Sequence, residues 1–384
     1  FTATSAVCVT GLVVVDTYDT FTVFGRTVVA LLIQVGGLGV SSVGIGFILL
    51  ARKHVGFKER LLVQEGLNLD SPRGVVRLVR AVLAMTLCVE AVGAFFSYLV
   101  FSRHYAPLHA LGVSAFHAVA SFNNAGFDIL GGLTNLIPYQ DDVLLSLTTA
   151  AMIILGGIGF LVVVDVLQKR SFRKFSLHTK VVLAVTAALL ALGTVLIKAT
   201  TDITWLGAFF TSTSARTAGF TTFPLGEFSS AALFIVIMLM FIGASPGSTG
   251  GGVKTTTFFS LLVGTYAIAA NKHAAAFRRT LPRGTLYKAF VVTTLAMGLC
   301  CVVLLLLCVF EPDYNVEMLL FEVVSAFGTV GLSTGITPDL SEGSKLALTL
   351  TMYIGRLGPL TVASLLTFRS LPSLHYSEEP MPIG

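Results

Sequence analysis

Val9-Thr10-Gly11-Leu12, Asn124-Ala125-Gly126-Phe127, Thr217-Ala218-Gly219-Phe220 and Thr329-Val330-Gly331-Leu332 share one form: a small or polar pair, then glycine, then Leu or Phe. Each leads into a hydrophobic, helix-length run with a second glycine motif. In order these read Val35-Gly36-Gly37-Leu38-Gly39, Leu155-Gly156-Gly157-Ile158-Gly159, Ile242-Gly243-Ala244-Ser245-Pro246-Gly247 and Ile354-Gly355-Arg356-Leu357-Gly358. The intervals from Gly11 to Gly36, Gly126 to Gly156, Gly219 to Gly243 and Gly331 to Gly355 are 25, 30, 24 and 24 residues. A single glycine of this kind reads most simply as a helix C-cap. Four pairs in the same order read as an internal fourfold repeat.

The bulk of the sequence places that repeat in a bilayer. Hydrophobic residues make up 54% and charged residues 12%, against about 25% charged in a soluble domain, and the mean hydropathy is +0.86. Apolar runs near 25–50, 77–101, 142–167, 179–200, 288–310 and 344–368, with a broken one over 229–270, predict seven spans. The chain opens at Phe1, already beside a glycine loop, so an outer helix before it is expected and would make eight. The five cysteines (Cys8, Cys88, Cys300, Cys301, Cys308) lie in apolar sequence without metal-ligand spacing and read as buried packing thiols.

Seventeen of the 25 Lys and Arg fall in 52–80, 169–180 and 272–288, which marks those loops as cytoplasmic. Asp16, Asp19, Asp128, Asp141, Asp142, Asp202, Glu227, Asp313, Asp339 and Glu342 cluster after or between the glycine loops, so the loop mouths are expected to face outside and the C-terminus the cytoplasm. The basic pI of about 9.0 is accounted for by this bias, and nucleic-acid binding is excluded.

Each repeat reads as outer helix, short helix, glycine loop, inner helix: 1–60 (lacking its outer helix), 61–175, 176–280, and 281–384 with the tail. The expected fold is an all-α membrane protein with four pseudo-symmetric units around a central ion pore. Short helices are expected over His109–Ser121, Trp205–Ser214 and Glu317–Phe327; at about a dozen residues they cannot span, and their polar loops are tolerable only beside a water-filled path. Successive carbonyls aimed the same way require alternating dihedrals that glycine adopts freely. A monovalent cation shedding water needs several weak oxygen ligands rather than carboxylates. Val9, Thr10, Gly11, Asn124, Ala125, Gly126, Thr217, Ala218, Gly219, Thr329, Val330 and Gly331 are therefore the candidate ion-binding residues, with the Thr10, Thr217 and Thr329 hydroxyls just below the glycines and Asn124 in their place in the second loop.

On these four loops, over essentially its whole length, the chain resembles the Trk/Ktr/HKT superfamily of potassium transporters. The compact repeats, the short tail Ser377–Gly384 and its ending Pro382-Ile383-Gly384 are most similar to the Ktr-type membrane subunit. The resemblance implies potassium uptake across the plasma membrane with K+ at the glycine loops, possible Na+ dependence, no covalently bound cofactor, a homodimer in membrane lipid, and a separate cytosolic ring of nucleotide-binding regulatory subunits. Some plant members carry serine at the first loop glycine and favour sodium; Gly11 points to potassium.

In the third repeat, Pro246 and the surrounding glycines cannot hold a helix, and the resemblance makes this stretch an intramembrane gate. The gate candidates are Gly243, Ser245, Pro246, Gly247, Gly250, Gly251, Gly252, Lys254 and Arg356, within a gate loop over 243–257. A phosphate loop is excluded because Val253 separates Gly252 from Lys254. Arg356 is expected to aim at the gate carbonyls as a latch or electrostatic barrier. Lys254 reads either as a cavity residue or as a partner for exposed carbonyls. Arg216 and Glu322 read either as a bracing ion pair or as two unrelated residues facing extracellular water, and His109 and His117 read as packing or hydrogen-bonding groups. The rival reading is a secondary transporter whose broken helix binds a small solute. An enzyme is not expected, since no nucleophile, base and acid are assembled.

Overall fold

The computed structural model of the chain describes residues 1–50, 56, 61 and 74–366. Arg52, Lys53, Lys58, Arg60 and Arg73 of the basic loop, and the tail Ser377–Gly384, lie outside the described residues. Three straight helices are long and apolar enough to cross a bilayer: Val75–Phe101, Leu177–Thr200 and Arg283–Phe310. Each is apolar nearly all round, as membrane spans are. One stripe packs inward, as with Val82, Thr86, Gly93 and Ser97 of the first, while Leu87, Phe95, Leu192, Val195, Leu305 and Val309 are exposed on outer faces.

A short helix follows each span: Pro107–Phe122, Trp205–Ser214 and Val316–Gly328, with Thr2–Val7 at the head of the chain. Local chemistry sets their starts, through Pro107 in the first turn and the Thr204 hydroxyl accepting from Gly207 N at 3.0 Å. A left-handed residue follows each within three residues, at Val9, Asn124, Thr217 and Thr329, where the chain bends back. In three loops the middle residue's N–H returns to a carbonyl five residues earlier: Thr10 to Ser5 at 2.8 Å, Ala125 to Ala120 at 2.8 Å and Val330 to Ser325 at 2.9 Å. Ala218 returns to Ser214, four residues back, at 2.9 Å.

The helices after the loops are Val23–Leu38, Val143–Gly157, Ser230–Phe241 and Glu342–Leu357, capped by the side chains of Thr22, Asp142, Ser229 and Ser341. Hydropathy predicts continuous spans through the first, second and fourth and a break in the third. All four break. Gly39, Gly159 and Gly358, the last glycines of their motifs, share one conformation, with φ/ψ of 82/134°, 92/142° and 91/135°. That conformation ends an α-helix, and the chain turns by 104° after Leu38 and 94° after Gly157. Hydropathy counts apolar residues and does not register a dihedral, so seven spans is corrected: among the described residues there are three straight spans, two bent pairs and shorter apolar helices. The third break differs in its length, running from Phe241 to Thr255.

The first glycine of each motif has a separate reason. A Cβ at Gly36, Gly156 or Gly355 would collide with the carbonyl oxygen of Val7, Phe122 or Phe327, at the end of the preceding short helix. At Gly243 the obstacle is Gly251 O, because the chain there doubles back on itself. Among the described residues the one pair of strands is the hairpin Ala275–Ala276 with Arg279–Thr280. The cysteine expectation holds in part: Cys8 and Cys300 are buried, but Cys88 and Cys301 lie on exposed faces.

Candidate functional site

The four loops meet in one closed ring. A Cβ built on Gly11 would lie closer than 3.0 Å to Ala125 O, one on Gly126 to Ala218 O, one on Gly219 to Val330 O, and one on Gly331 to Thr10 O. Each glycine thus lies against the middle carbonyl of the next loop in chain order, and the fourth closes on the first. The backbone alternates identically in all four: φ is positive at Val9 and Gly11, Asn124 and Gly126, Thr217 and Gly219, and Thr329 and Gly331. Left-handed Val and Thr each cost about 1–2 kcal/mol, so this geometry is imposed by its surroundings. The register also corrects an equivalence. Thr10 occupies the middle position, with Ala125, Ala218 and Val330, and Val9 is the counterpart of Thr217 and Thr329. The Thr10 hydroxyl is buried without a hydrogen-bond partner.

Serine holds two ring glycines from within their own unit: Ser5 Oγ accepts from Gly11 N and Ser325 Oγ from Gly331 N, both at 3.1 Å. The spacing of six residues is legible in the sequence, although nothing there marks it as special. The short helices end directly at the ring, so the partial negative charge at their C-termini favours a cation there.

The third break lies against the ring. Gly251 N donates to Thr329 Oγ at 2.9 Å, and Gly250 packs so closely on Thr217 Oγ that no side chain fits. The segment is also stitched to the second inner helix, with Ser245 N donating to Gly157 O at 3.0 Å and Phe160 N to Gly247 O at 2.9 Å. Gly243 N closes its base by donating to Val253 O at 2.8 Å. Arg356 donates to Thr249 O and to Gly36 O, joining the break to the first inner helix. Lys254 Nζ donates to Gly250 O at 2.6 Å, so of its two readings the structure selects the carbonyl partner.

The ion pair does not form. Arg216 donates to Gly243 O at 3.3 Å, and no salt bridge among the described residues joins it to Glu322. Glu322 is instead fully buried and saturated by hydroxyl and amide donors. Its Oε1 accepts from Ser333 Oγ (2.7 Å), Thr334 N (3.0 Å) and Thr334 Oγ (3.3 Å), and its Oε2 from Thr337 Oγ (2.6 Å). Four donors replace the cation, and they pin the segment after the fourth loop to its short helix. Glu322→Gln removes the charge that strengthens these four bonds and makes the Thr337 hydroxyl turn from donor to acceptor, at a cost of about 1–3 kcal/mol. The variant is expected to melt several degrees lower in detergent, with Glu322→Asp, which keeps the charge, falling less.

His117 packs edge-on against Phe101 and Phe220 and bonds Thr149 Oγ at 2.8 Å, and His109 packs on Tyr18 and Tyr105, as expected of packing groups. In the segment after the second loop, burial pushes the Asp128 carboxyl up to about 6; the hydrogen bonds from Leu130 N and Asn135 oppose the rise, and the neighbouring Asp16 charge adds to it. Sequence reasoning missed Asn135, nine residues beyond Gly126 in a loop without a repeating pattern.

Comparison with known proteins agrees with this architecture. The family profile described as "TrkH: Cation transport protein" matches residues 1–206 and 175–379. The chain is 39% identical to the potassium/sodium uptake protein NtpJ of Enterococcus hirae, over all of this chain and 89% of that protein. It is 38% identical to the Ktr system potassium uptake protein B of Bacillus subtilis, over 94% of this chain and 83% of that one. The crystal structure of the potassium transporter TrkH from Vibrio parahaemolyticus superposes with a TM-score of 0.75 at 17% identity, covering 95% of this chain and 76% of that one. Matches of this length and identity, on a chain whose helices break at corresponding glycines, establish it as a member of the TrkH cation transport family.

Proposed function

We propose that the protein takes up potassium across the plasma membrane through the ring of Gly11, Gly126, Gly219 and Gly331, with the 243–254 segment as its gate. The closed ring with alternating left-handed positions carries this reading. Four units that place equivalent carbonyls around one axis give a dehydrated cation several weak ligands at once, whereas a transporter with a broken-helix site has no use for four such loops. Cations enter from outside and lose water at the ring. The membrane potential drives them inward with about 2.3 kcal/mol per charge at 100 mV.

Gly250 and Gly251 lie against the Thr217 and Thr329 hydroxyls, so the segment occupies the path just beyond the ring and has to withdraw for an ion to pass. Arg356 holds it in place and adds a positive charge facing the cation. Two relatives are named for potassium uptake, one also for sodium, which supports K+ as the preferred ion and leaves a role for Na+. A relative named as one protein of a Ktr system supports a regulatory partner. The homodimer and the cytosolic nucleotide-binding ring follow from the family resemblance, and the Lys and Arg bias of the loops supports an extracellular ring mouth and a cytoplasmic C-terminus.

Expression in a strain lacking potassium uptake tests the reading. The chain, supplied with a regulatory partner, restores growth at low potassium. A membrane-inserted protein that fails to restore it contradicts the proposal.

A further inference from the structure

The four ring glycines are not held alike: two are tied at their N–H groups, and the second is held at its carbonyl. Gly11 and Gly331 are tied at their N–H groups by Ser5 and Ser325. The position six residues before Gly126 is Ala120, which has no hydroxyl to offer. Gly126 is held from the other side: Asn135 Nδ2 donates to Gly126 O at 3.1 Å. Among the described residues no other ring glycine has a carbonyl that accepts a hydrogen bond from the protein.

Asn135 uses its whole side chain to do this. The second hydrogen of Nδ2 goes to Asp128 Oδ2 at 3.0 Å. Oδ1 accepts from Thr221 N at 3.1 Å and Leu136 N at 3.0 Å. Leu136 N in turn donates to Thr221 O at 3.1 Å, so Asn135 joins the exits of the second and third loops. Its own backbone is left-handed, with φ of 51°, a region that Asn enters more readily than most residues. Asp16 Oδ2 accepts from Leu133 N at 2.8 Å and ties the same segment to the exit of the first loop.

The geometry points to Asn135 as a positioning residue that sets ion selectivity by fixing the Gly126 carbonyl in the ring. This rests on the reading of the ring as the ion-binding site. An amide donor on a carbonyl oxygen fixes its direction and withdraws part of its lone-pair density. Both alter the field that a cation meets, and the field strength of a carbonyl ring is one basis of discrimination between K+ and Na+.

Two variants separate this role from mere support of the fold. Asn135→Asp keeps the acceptor for Thr221 N, loses the donor to Gly126 O and is nearly isosteric. Asn135→Gly removes the side chain while remaining at ease with a positive φ. Purified protein in liposomes is compared for K+ and Na+ flux, with Gly11→Ser measured beside it.

Both Asn135 variants are expected to lose about fivefold in K+ over Na+ preference, the worth of one hydrogen bond. A purely structural role lowers both fluxes together and leaves their ratio unchanged, and that result overturns the proposal. If Gly11→Ser shifts the ratio and the Asn135 variants do not, the brace is wrong and the ring reading stands. If none of the three shifts it, the ring reading fails and the proposal falls with it.

Discussion

Replacing Gly11 with serine is expected to cost about tenfold in K+ over Na+ selectivity, an energy change of about 1.4 kcal/mol. Gly11 has φ of 94°, where a side chain is strained whatever the space around it, and its missing Cβ would press on Ala125 O. The serine therefore displaces the neighbouring loop's carbonyl as well as its own backbone, and two of the four units lose their positions. Because the ring is closed, the disturbance cannot be relieved by moving one loop outward. The measurement is relative uptake of the two ions by protein shown to be folded and membrane-inserted. An unchanged ratio removes Gly11 from the ion path.

Loss of Arg356 is expected to open the pore. The guanidinium bridges Thr249 O and Gly36 O, two carbonyls on separate elements, and this match suits a planar fork better than a single ammonium. Arg356→Gln removes the charge and the bridge together and is expected to raise potassium flux about tenfold, equivalent to about 1.4 kcal/mol of lost closure. Arg356→Lys keeps the charge and one donor, so its flux should fall between wild type and the glutamine variant. Flux assays in liposomes decide the point. If lysine and glutamine raise flux equally, the bridge and not the charge is the closing element. If neither raises it, Arg356 is a packing residue.

The glycine loops were legible because their demand is written in residue type: alternating left-handed backbone selects glycine, and four copies exclude chance. The same pattern concealed a shift of register. Val9 occupies the place of Thr217 and Thr329, yet the neighbouring Thr10 invites the wrong match. The breaks at Gly39, Gly159 and Gly358 were present as letters, but an apolar window weighs a glycine in a kink and a glycine at a helix crossing alike. The ion-pair reading of Arg216 and Glu322 failed because it assumed that a buried charge seeks an opposite charge. Hydroxyl and amide donors from Ser333, Thr334 and Thr337 satisfy Glu322 instead, a convergence that depends on tertiary structure, while Arg216 reaches the Gly243 carbonyl and leaves its Nη1 buried without a partner. Asn135 left no trace in the sequence because its partners, Gly126 and Thr221, lie on two different units.

The central claim is that cations bind within the ring of Gly11, Gly126, Gly219 and Gly331. Anomalous diffraction from crystals of the protein equilibrated with rubidium or thallium in place of potassium tests it most directly. The account predicts anomalous density on the axis of that ring, level with the carbonyls of Thr10, Ala125, Ala218 and Val330. Density absent from the ring and present beside the 243–254 break would contradict it and place the binding site in the broken helix.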